Sequence, residues 1–186
     1  MDGVNRRALS ILGATSENPC IKIDNNIEVV TIFDPPHLLK CFRNLFIKYN
    51  IECMTDIHSD SKTGVGLAKW SHIKDFFEMD NKNNFFVYAP ALKMDHLDPN
   101  SKQKMRVKLA AQVMSHTVAA GMMAKIAEGS LSTDATVTAN VLENMDKIFD
   151  TLNSDSTDLR RGKIFSTNLK NSTPHLNFIS KMKMFF

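Results

Sequence analysis

The sequence is poor in cysteine and nearly balanced in charge. Its three cysteines, Cys20, Cys41 and Cys53, are odd in number and show no Cys-x-x-Cys spacing, which argues against a disulfide framework and a zinc knuckle. The formal net charge is +3 over 186 residues, without a dense basic run, so charge alone does not predict nucleic-acid binding. We therefore expect a protein of a reducing compartment, and contact with DNA needs other evidence.

The sequence also lacks a P-loop, a membrane-spanning run and a histidine metal motif. No Gly-x-x-x-x-Gly-Lys-Ser/Thr stretch occurs, which excludes phosphate binding of the P-loop kind and argues against nucleotide hydrolysis. Without a signal peptide or a long apolar run, we expect a soluble intracellular protein. The six histidines show no His-x-x-x-His pair, so a histidine metal site is not expected.

The residues that are present predict a packed, mainly helical fold. Hydrophobic residues make up 43% of the chain and charged residues 23%, both near the values of globular domains. Residues 101–127 and 133–153 show the two longest helical patterns, and we expect these helices to pack antiparallel through a short turn. The other predicted elements are helices at residues 4–12, 35–49 and 71–79, a last helix opening at residues 173–175, and an extended stretch at residues 163–169.

Asp34 lies between two different patterns. The apolar run at residues 29–33 predicts a strand buried on both faces, and a helical pattern follows it. Asp34 suits the helix N-cap, because Pro35 and Pro36 fit the first helical positions and leave the His37 amide to be capped. Alternatively, the carboxyl end of a buried strand is where α/β sheets place metal ligands and catalytic groups. Spacing alone favours the cap.

Phe149, Asp150 and Asn153 form a second candidate constellation. On a helix, this spacing brings a ring, a carboxylate and an amide near one another. The carboxylate could accept hydrogen bonds from guanine, the amide could add a directed bond, and the ring could stack on the base. The structural alternative is that Phe149 belongs to the core and Asn153 ends the helix. Spacing alone favours this alternative.

A family resemblance favours the functional interpretation of both Asp34 and the group of Phe149, Asp150 and Asn153. The block at residues 33–40, followed by Arg43 and Asn44, resembles the block around the second catalytic Asp of P-element and THAP-domain transposases. Further blocks resemble successive segments of the same family in the same order. They lie at residues 2–20, 104–110, 115–120 and 149–154.

The resemblance implies a role for Asp34 and for a guanine nucleotide. Asp34 matches a catalytic metal ligand, the middle one of three acids that hold Mg²⁺ in the complete site. Because two-metal chemistry needs several carboxylates, we expect this chain to be inactive alone. The family also carries an inserted domain that binds GTP without hydrolysing it. The resemblance places Phe149, Asp150, Asn153, Val107, Arg106 and Lys93 at the nucleotide.

The predicted architecture follows from this resemblance. It is a mainly α fold, in which a helical insertion domain is preceded by a helix-strand-helix remnant of an RNase H-like α/β domain. Residues 1–52 are assigned to the C-terminal part of the catalytic segment, which is incomplete here. Residues 53–70, rich in polar and turn residues, are assigned to a linker. Residues 71–186 are assigned to the GTP-binding insertion domain, incomplete at its C-terminus.

The expected function is that of a fragment of a P-element-type DNA transposase. In the complete protein it would support cut-and-paste DNA transposition, in the nucleus or elsewhere inside the cell. The implied partners are DNA, at the transposon ends, and a guanine nucleotide, with no membrane, and homo-oligomer formation stays open. One alternative is a domesticated, non-catalytic interaction or nucleic-acid-binding protein derived from the same domain. Another is a helical fold unrelated to transposition.

Overall fold

The computed structural model describes residues 3–15, 17–24, 27–54, 64–82, 86–154, 163–170 and 172–185. Within these residues the fold is mainly α, as predicted. The helices are α1 (Gly3–Ile11), α2 (Pro35–Phe46), α3 (Trp70–Lys82), α4 (Met94–Leu97), α5 (Ser101–Lys104), α6 (Val107–Val113), α7 (His116–Ala127), α8 (Ala135–Leu152) and α9 (His175–Phe185), with a short 3₁₀ helix at Ile164–Ser166. The strands are β1 (Cys20–Asp24), β2 (Ile27–Val30), β3 (Ile51–Met54) and β4 (Val65–Ala68).

Several predictions fall outside the described residues. They concern Asp2, the middle of the predicted linker at residues 55–63 with His58, Phe85 at the start of an extended stretch predicted for residues 85–88, and all but the first residue of the loop predicted for residues 154–158.

The predicted buried strand is half of an exposed hairpin. β2 pairs antiparallel with β1 and ends at Val30, so the chain reaches Asp34 through irregular backbone. Val30 is 58% exposed and Ile32 is 76% exposed. The prediction of burial on both faces is therefore wrong for the described residues. An apolar run indicates that a strand can be buried, but burial also requires elements that cover it.

Asp34 is the N-cap of α2, which confirms the simpler interpretation of the sequence. Its Oδ2 atom accepts a hydrogen bond of 2.9 Å from the backbone N–H of His37. Pro35 and Pro36 occupy the first helical positions, where an absent N–H costs nothing. From this cap, α2 buries Leu39, Arg43 and Phe46 on one face.

The predicted helix at residues 101–127 is interrupted twice, so its prediction as one element is wrong. Arg106 has extended backbone angles and separates α5 from α6. Ser115 separates α6 from α7, where its side chain accepts from the Val118 N–H and donates to the Gln112 carbonyl. These side-chain bonds replace helical backbone bonds. Apolar spacing continues across both breaks and does not reveal them.

α7 and α8 form the centre of the core and run antiparallel, as predicted. They pack along each other, and His116 at the start of α7 contacts Glu143 at the middle of α8. Gly121 allows a close approach on another side of α7. A Cβ atom at this position would lie 2.7 Å from the Phe76 ring and 2.9 Å from Cβ of Tyr88, so any larger residue would push α3 and its following segment away.

The predicted linker contributes to the core at both described ends. β3 and β4, whose residues fall largely within it, pair antiparallel, and Cys53 and Ala68 are buried. Trp70 is also buried, and its Nε1 atom donates to the Leu97 carbonyl at 3.1 Å. The described parts of residues 53–70 are therefore packed structure. Where a domain boundary falls stays a prediction.

The end of the chain was predicted in part. α9 begins at His175, as the Thr-Pro-His pattern indicated. Residues 164–166, predicted to be extended, form the 3₁₀ helix instead. In the described part of the chain, no helix combines the length and apolar character needed to cross a membrane.

Candidate functional site

One face of α8 carries four charged residues that line a cavity of about 260 Å³. Their spacing of three or four residues places them on the same side of the helix. The cavity lies along α8 from the middle of the helix towards its C-terminus. Its α8 residues are Glu143, Asp146, Lys147 and Asp150.

The opposite wall of the cavity comes from other parts of the chain. It consists of Lys163, Ile164 and Phe165, together with His116 from the start of α7. The Phe165 ring packs edge-on against His175, with the centroids 5.4 Å apart, and lies 4.8 Å from the ring centroid of Phe178. Because His175 is completely buried, these ring contacts fix the 3₁₀ helix against α9 and hold Phe165 at the cavity.

The charged groups of the cavity form two separate clusters. Lys163 Nζ lies 2.8 Å from Asp150 Oδ2 and 3.1 Å from Asp146 Oδ2. In the other cluster, His116 Nδ1 lies 2.7 Å from Glu143 Oε2, and Lys147 Nζ lies 3.0 Å from Glu143 Oε1. One cluster thus shares a single ammonium between two acids, and the other provides two nitrogen groups for a single acid.

This imbalance is visible in the pKa values of the two clusters. Burial raises the pKa of Asp146, and the attraction of Lys163 does not offset it. Burial also raises the pKa of Glu143, but hydrogen bonds from His116 and Lys147 outweigh it, so the net pKa lies below the ordinary value. For Lys163, burial lowers the pKa, whereas its two acidic partners raise it above the ordinary value overall. Neighbouring cations therefore offset the cost of burying the ionised carboxylate less well for Asp146 than for Glu143.

The structure brings one of the three predicted α8 residues into the cavity. Asp150 lines it. Phe149 is half-buried against the hydrophobic core, and it is not among the described residues that line the cavity. Asn153 is exposed and forms the C-cap of α8, where its N–H donates to the Phe149 carbonyl at 2.9 Å.

The other predicted site residues lie elsewhere. Lys93 is exposed before α4, Arg106 is exposed at the break before α6, and Val107 is the half-buried first residue of α6. None of these is among the described residues that line the cavity. Asp34 is exposed at the start of α2. Within the described ranges, no group of three or more His, Cys, Asp or Glu side chains could hold a metal ion.

Sequence reasoning missed most of the cavity. Glu143 and Asp146 could have been found, since they precede Asp150 on the same face by about two turns and one turn of the helix respectively. Lys163 and Phe165 carry no such local signal, because only the packing of the segment before α9 brings them to α8.

A second cavity, of about 780 Å³, has a different character. It lies beside the exposed hairpin and is lined largely by apolar side chains such as Val30, Ile32 and Leu38. The smaller cavity is the better candidate for a polar ligand, because it combines acids, cations and a ring.

The comparisons with known proteins agree with this architecture. Residues 36–165 match the family described as TNP-like, GTP-binding insertion domain. The chain belongs to this family. The match of this insertion domain begins in α2 and ends at Phe165, so it includes both walls of the cavity beside α8.

Two known proteins are similar to this TNP-like chain. It is 27% identical over 131 residues to the Transposable element P transposase of Drosophila melanogaster, covering 70% of this chain and 16% of the relative. Its fold is similar to that in the Drosophila P element transposase strand transfer complex, with a TM-score of 0.81 at 20% identity. That match covers 98% of this chain and 40% of the other. The chain thus spans less than half the length of either relative.

Proposed function

We propose that this chain is the nucleotide-binding part of a P-element-type transposase and binds a guanine nucleotide in the cavity beside α8. The observation that carries the proposal is the position of Asp150. Its carboxylate lines a cavity in a chain of the GTP-binding insertion family. Guanine presents adjacent N–H donors, and one carboxylate can accept from both.

The residues of the cavity fit such a ligand. Asp150 supplies the acceptor, Phe165 supplies an aromatic surface, and Lys147 supplies positive charge for phosphates. A volume of about 260 Å³ lies just below the usual range of ligand pockets, so the cavity suits the base alone, with the phosphates outside it. The family resemblance implies that GTP acts here as a bound structural cofactor without hydrolysis, and the absence of a P-loop agrees with this.

The remaining proposed nucleotide contacts rest on the family resemblance alone. They are Phe149, Asn153, Val107, Arg106 and Lys93. Lys93 and Arg106 are exposed cations, which is the character that contact with phosphates requires.

For the complete protein, we propose that Asp34 holds Mg²⁺ together with the two other acids of the catalytic set, which the family resemblance places before and after the segments matched here. Asp34 is exposed and therefore accessible to an ion, and one carboxylate cannot hold a pair of cations. We further propose transposon-end DNA as the substrate of the complete protein and the nucleus as its site of action. The boundary between a catalytic segment and an insertion domain at residues 53–70 belongs to the same proposal.

Replacing the carboxylate of Asp150 by an amide tests the proposal that this residue recognises the guanine base. In calorimetric titrations at about millimolar nucleotide, GTP should bind weakly and without turnover, and ATP should compete poorly because adenine presents an acceptor where guanine presents N1–H. Asp150→Asn should lose the preference for GTP and gain one for xanthosine triphosphate, because the amide donates to the carbonyl of xanthine that replaces the guanine amino group.

Asp146→Asn provides the matched control, because it removes the same charge one turn earlier in the same cavity. It should not create a preference for xanthosine triphosphate. Equal binding of GTP and ATP by the wild type, or the same change in preference in both variants, would remove Asp150 from the role of base reader.

A further inference from the structure

The carboxylate that would read the base already has a partner. Lys163 Nζ lies 2.8 Å from Oδ2 of Asp150, within hydrogen-bond distance. A guanine base needs the same carboxylate, and its N–H groups cannot share an oxygen atom with the ammonium at no cost. We propose that Lys163 competes with a guanine base for Asp150, because its ammonium occupies the carboxylate and must leave it before the base can bind. This inference rests on the proposed function.

The position of Lys163 allows its ammonium to leave Asp150 and still keep a carboxylate partner. Its ammonium also contacts both carboxylate oxygens of Asp146, at 3.1 and 3.3 Å. The side chain is 45% exposed, whereas those of Asp146 and Asp150 are 13% and 17% exposed. The ammonium can therefore give up Asp150 and stay on Asp146. Burial disfavours the ionised form of Asp146 and holds its pKa above the ordinary value. Closer contact with the ammonium therefore stabilises the ionised carboxylate of Asp146.

The exchange favours guanine over adenine. When Lys163 leaves, Asp150 is a partly buried carboxylate that needs new donors, and an unpaired one is costly. Guanine replaces the ammonium with N–H donors, whereas adenine presents an acceptor at the corresponding ring nitrogen. An adenine nucleotide therefore gains nothing from displacing Lys163. Lys163 therefore weakens the binding of guanine nucleotides, which must displace it, and has no such effect on adenine nucleotides, which do not.

Lys147 offers a matched comparison within the same cavity. It lines the cavity and carries the same charge, but its ammonium pairs with Glu143, 3.0 Å away. Replacing either lysine by methionine lowers the positive charge of the cavity equally. Only Lys163→Met uncovers Asp150.

Calorimetric titration of the 186-residue chain with GTP and ATP tests the inference. Lys163→Met should bind GTP about fivefold more tightly than the wild type, the scale of a partly exposed ion pair. Its affinity for ATP should not increase, and Lys147→Met should show no tightening for either nucleotide. Circular dichroism shows whether Lys163→Met is folded. Lys163→Gln is the second variant in case methionine disturbs folding, and it should also bind GTP more tightly than the wild type.

Each other outcome has a distinct meaning. Weaker or unchanged GTP binding by both Lys163 variants overturns the inference, since Lys163 would then assist binding or take no part in it. Equal tightening in Lys163→Met and Lys147→Met also overturns it, because the effect would be one of general charge. If neither the wild type nor any variant binds GTP, the proposed function itself fails, and the inference fails with it.

Discussion

Arg43 on α2 donates a hydrogen bond from Nη2 to the backbone carbonyl of Lys104 at the end of α5, over 2.9 Å. Its Nε atom donates to the Asn44 side chain at 2.8 Å. The residue is completely buried, and Nη1 has no hydrogen-bond partner among the described residues. Burial lowers the pKa of this guanidinium. The helix that begins at Asp34 is thus joined to the backbone just before Arg106.

This contact predicts that Arg43→Lys destabilises the fold. A lysine cannot reproduce the fork of donors, so the Lys104 carbonyl or the Asn44 side chain loses its partner, at a cost of about 1–3 kcal/mol. Urea unfolding followed by circular dichroism measures the change. Lys40→Arg, the reverse exchange at a partly exposed position of the same helix, should stay within about 0.5 kcal/mol of wild type. A similarly small effect for Arg43→Lys would show that the buried fork contributes little.

The two roles assigned to Asp34 make different predictions. Asp34→Ala should destabilise the chain by about 1 kcal/mol through loss of the cap, whereas Asp34→Asn should be nearly neutral because asparagine caps as well as aspartate. Neither variant should alter DNA chemistry by this chain alone, because we expect the wild type neither to cleave nor to join a duplex with Mg²⁺ or Mn²⁺. Metal-dependent cleavage by the wild-type chain that Asp34→Ala abolishes would refute this expectation.

A structural feature could be predicted from the sequence when it depends on residues that are a few positions apart in the chain. The Asp34 cap, the start of α9 at His175 and the end of α1 near Gly13, which has a φ of +93°, depend on neighbours a few residues away. Such local chemistry is present in the sequence itself. The exposure of β2 depends on which elements cover it, and local composition does not contain that information.

The same reasoning applies to the candidate site. Asp150 could be predicted from its resemblance to a family block, and the structure places it at a cavity. The placement of Lys163 depends on the packing of Phe165 with His175 and Phe178. These contacts join residues ten or more positions apart, and periodicity within one helix cannot reveal them.

Unequal burial predicts unequal protection of backbone amides. The β1–β2 hairpin exposes the side chains of β2, whereas Val118 and Met122 on α7 are almost completely buried. Amides of β2 should therefore exchange at least about 100-fold faster than those of residues 118–126, because the hairpin can open without disturbing the core. Hydrogen exchange followed by mass spectrometry or NMR measures this ratio. Equal protection in both segments would show that the hairpin is part of the same cooperative unit as α7.

The two acids Glu143 and Asp146 should affect stability in opposite directions as the pH changes. Hydrogen bonds from His116 and Lys147 outweigh burial and lower the pKa of Glu143. Ionised Glu143 therefore adds stability that is present above its unfolded pKa and lost as the pH falls through its folded pKa. Burial raises the pKa of Asp146, so its ionisation removes stability as the pH rises from its ordinary value to its folded value.

At neutral pH, Glu143→Gln should accordingly be less stable than wild type, by up to about 1 kcal/mol given its partial exposure. Asp146→Asn should be as stable as wild type or more so, because the amide carries no charge to desolvate. Both differences should shrink between about pH 7 and about pH 3, because protonation of the two acids in wild type removes the charge that the amides lack. Urea unfolding at the two pH values decides the matter. Equal destabilisation by both variants at neutral pH would mean that Lys163 compensates Asp146 as fully as His116 and Lys147 compensate Glu143.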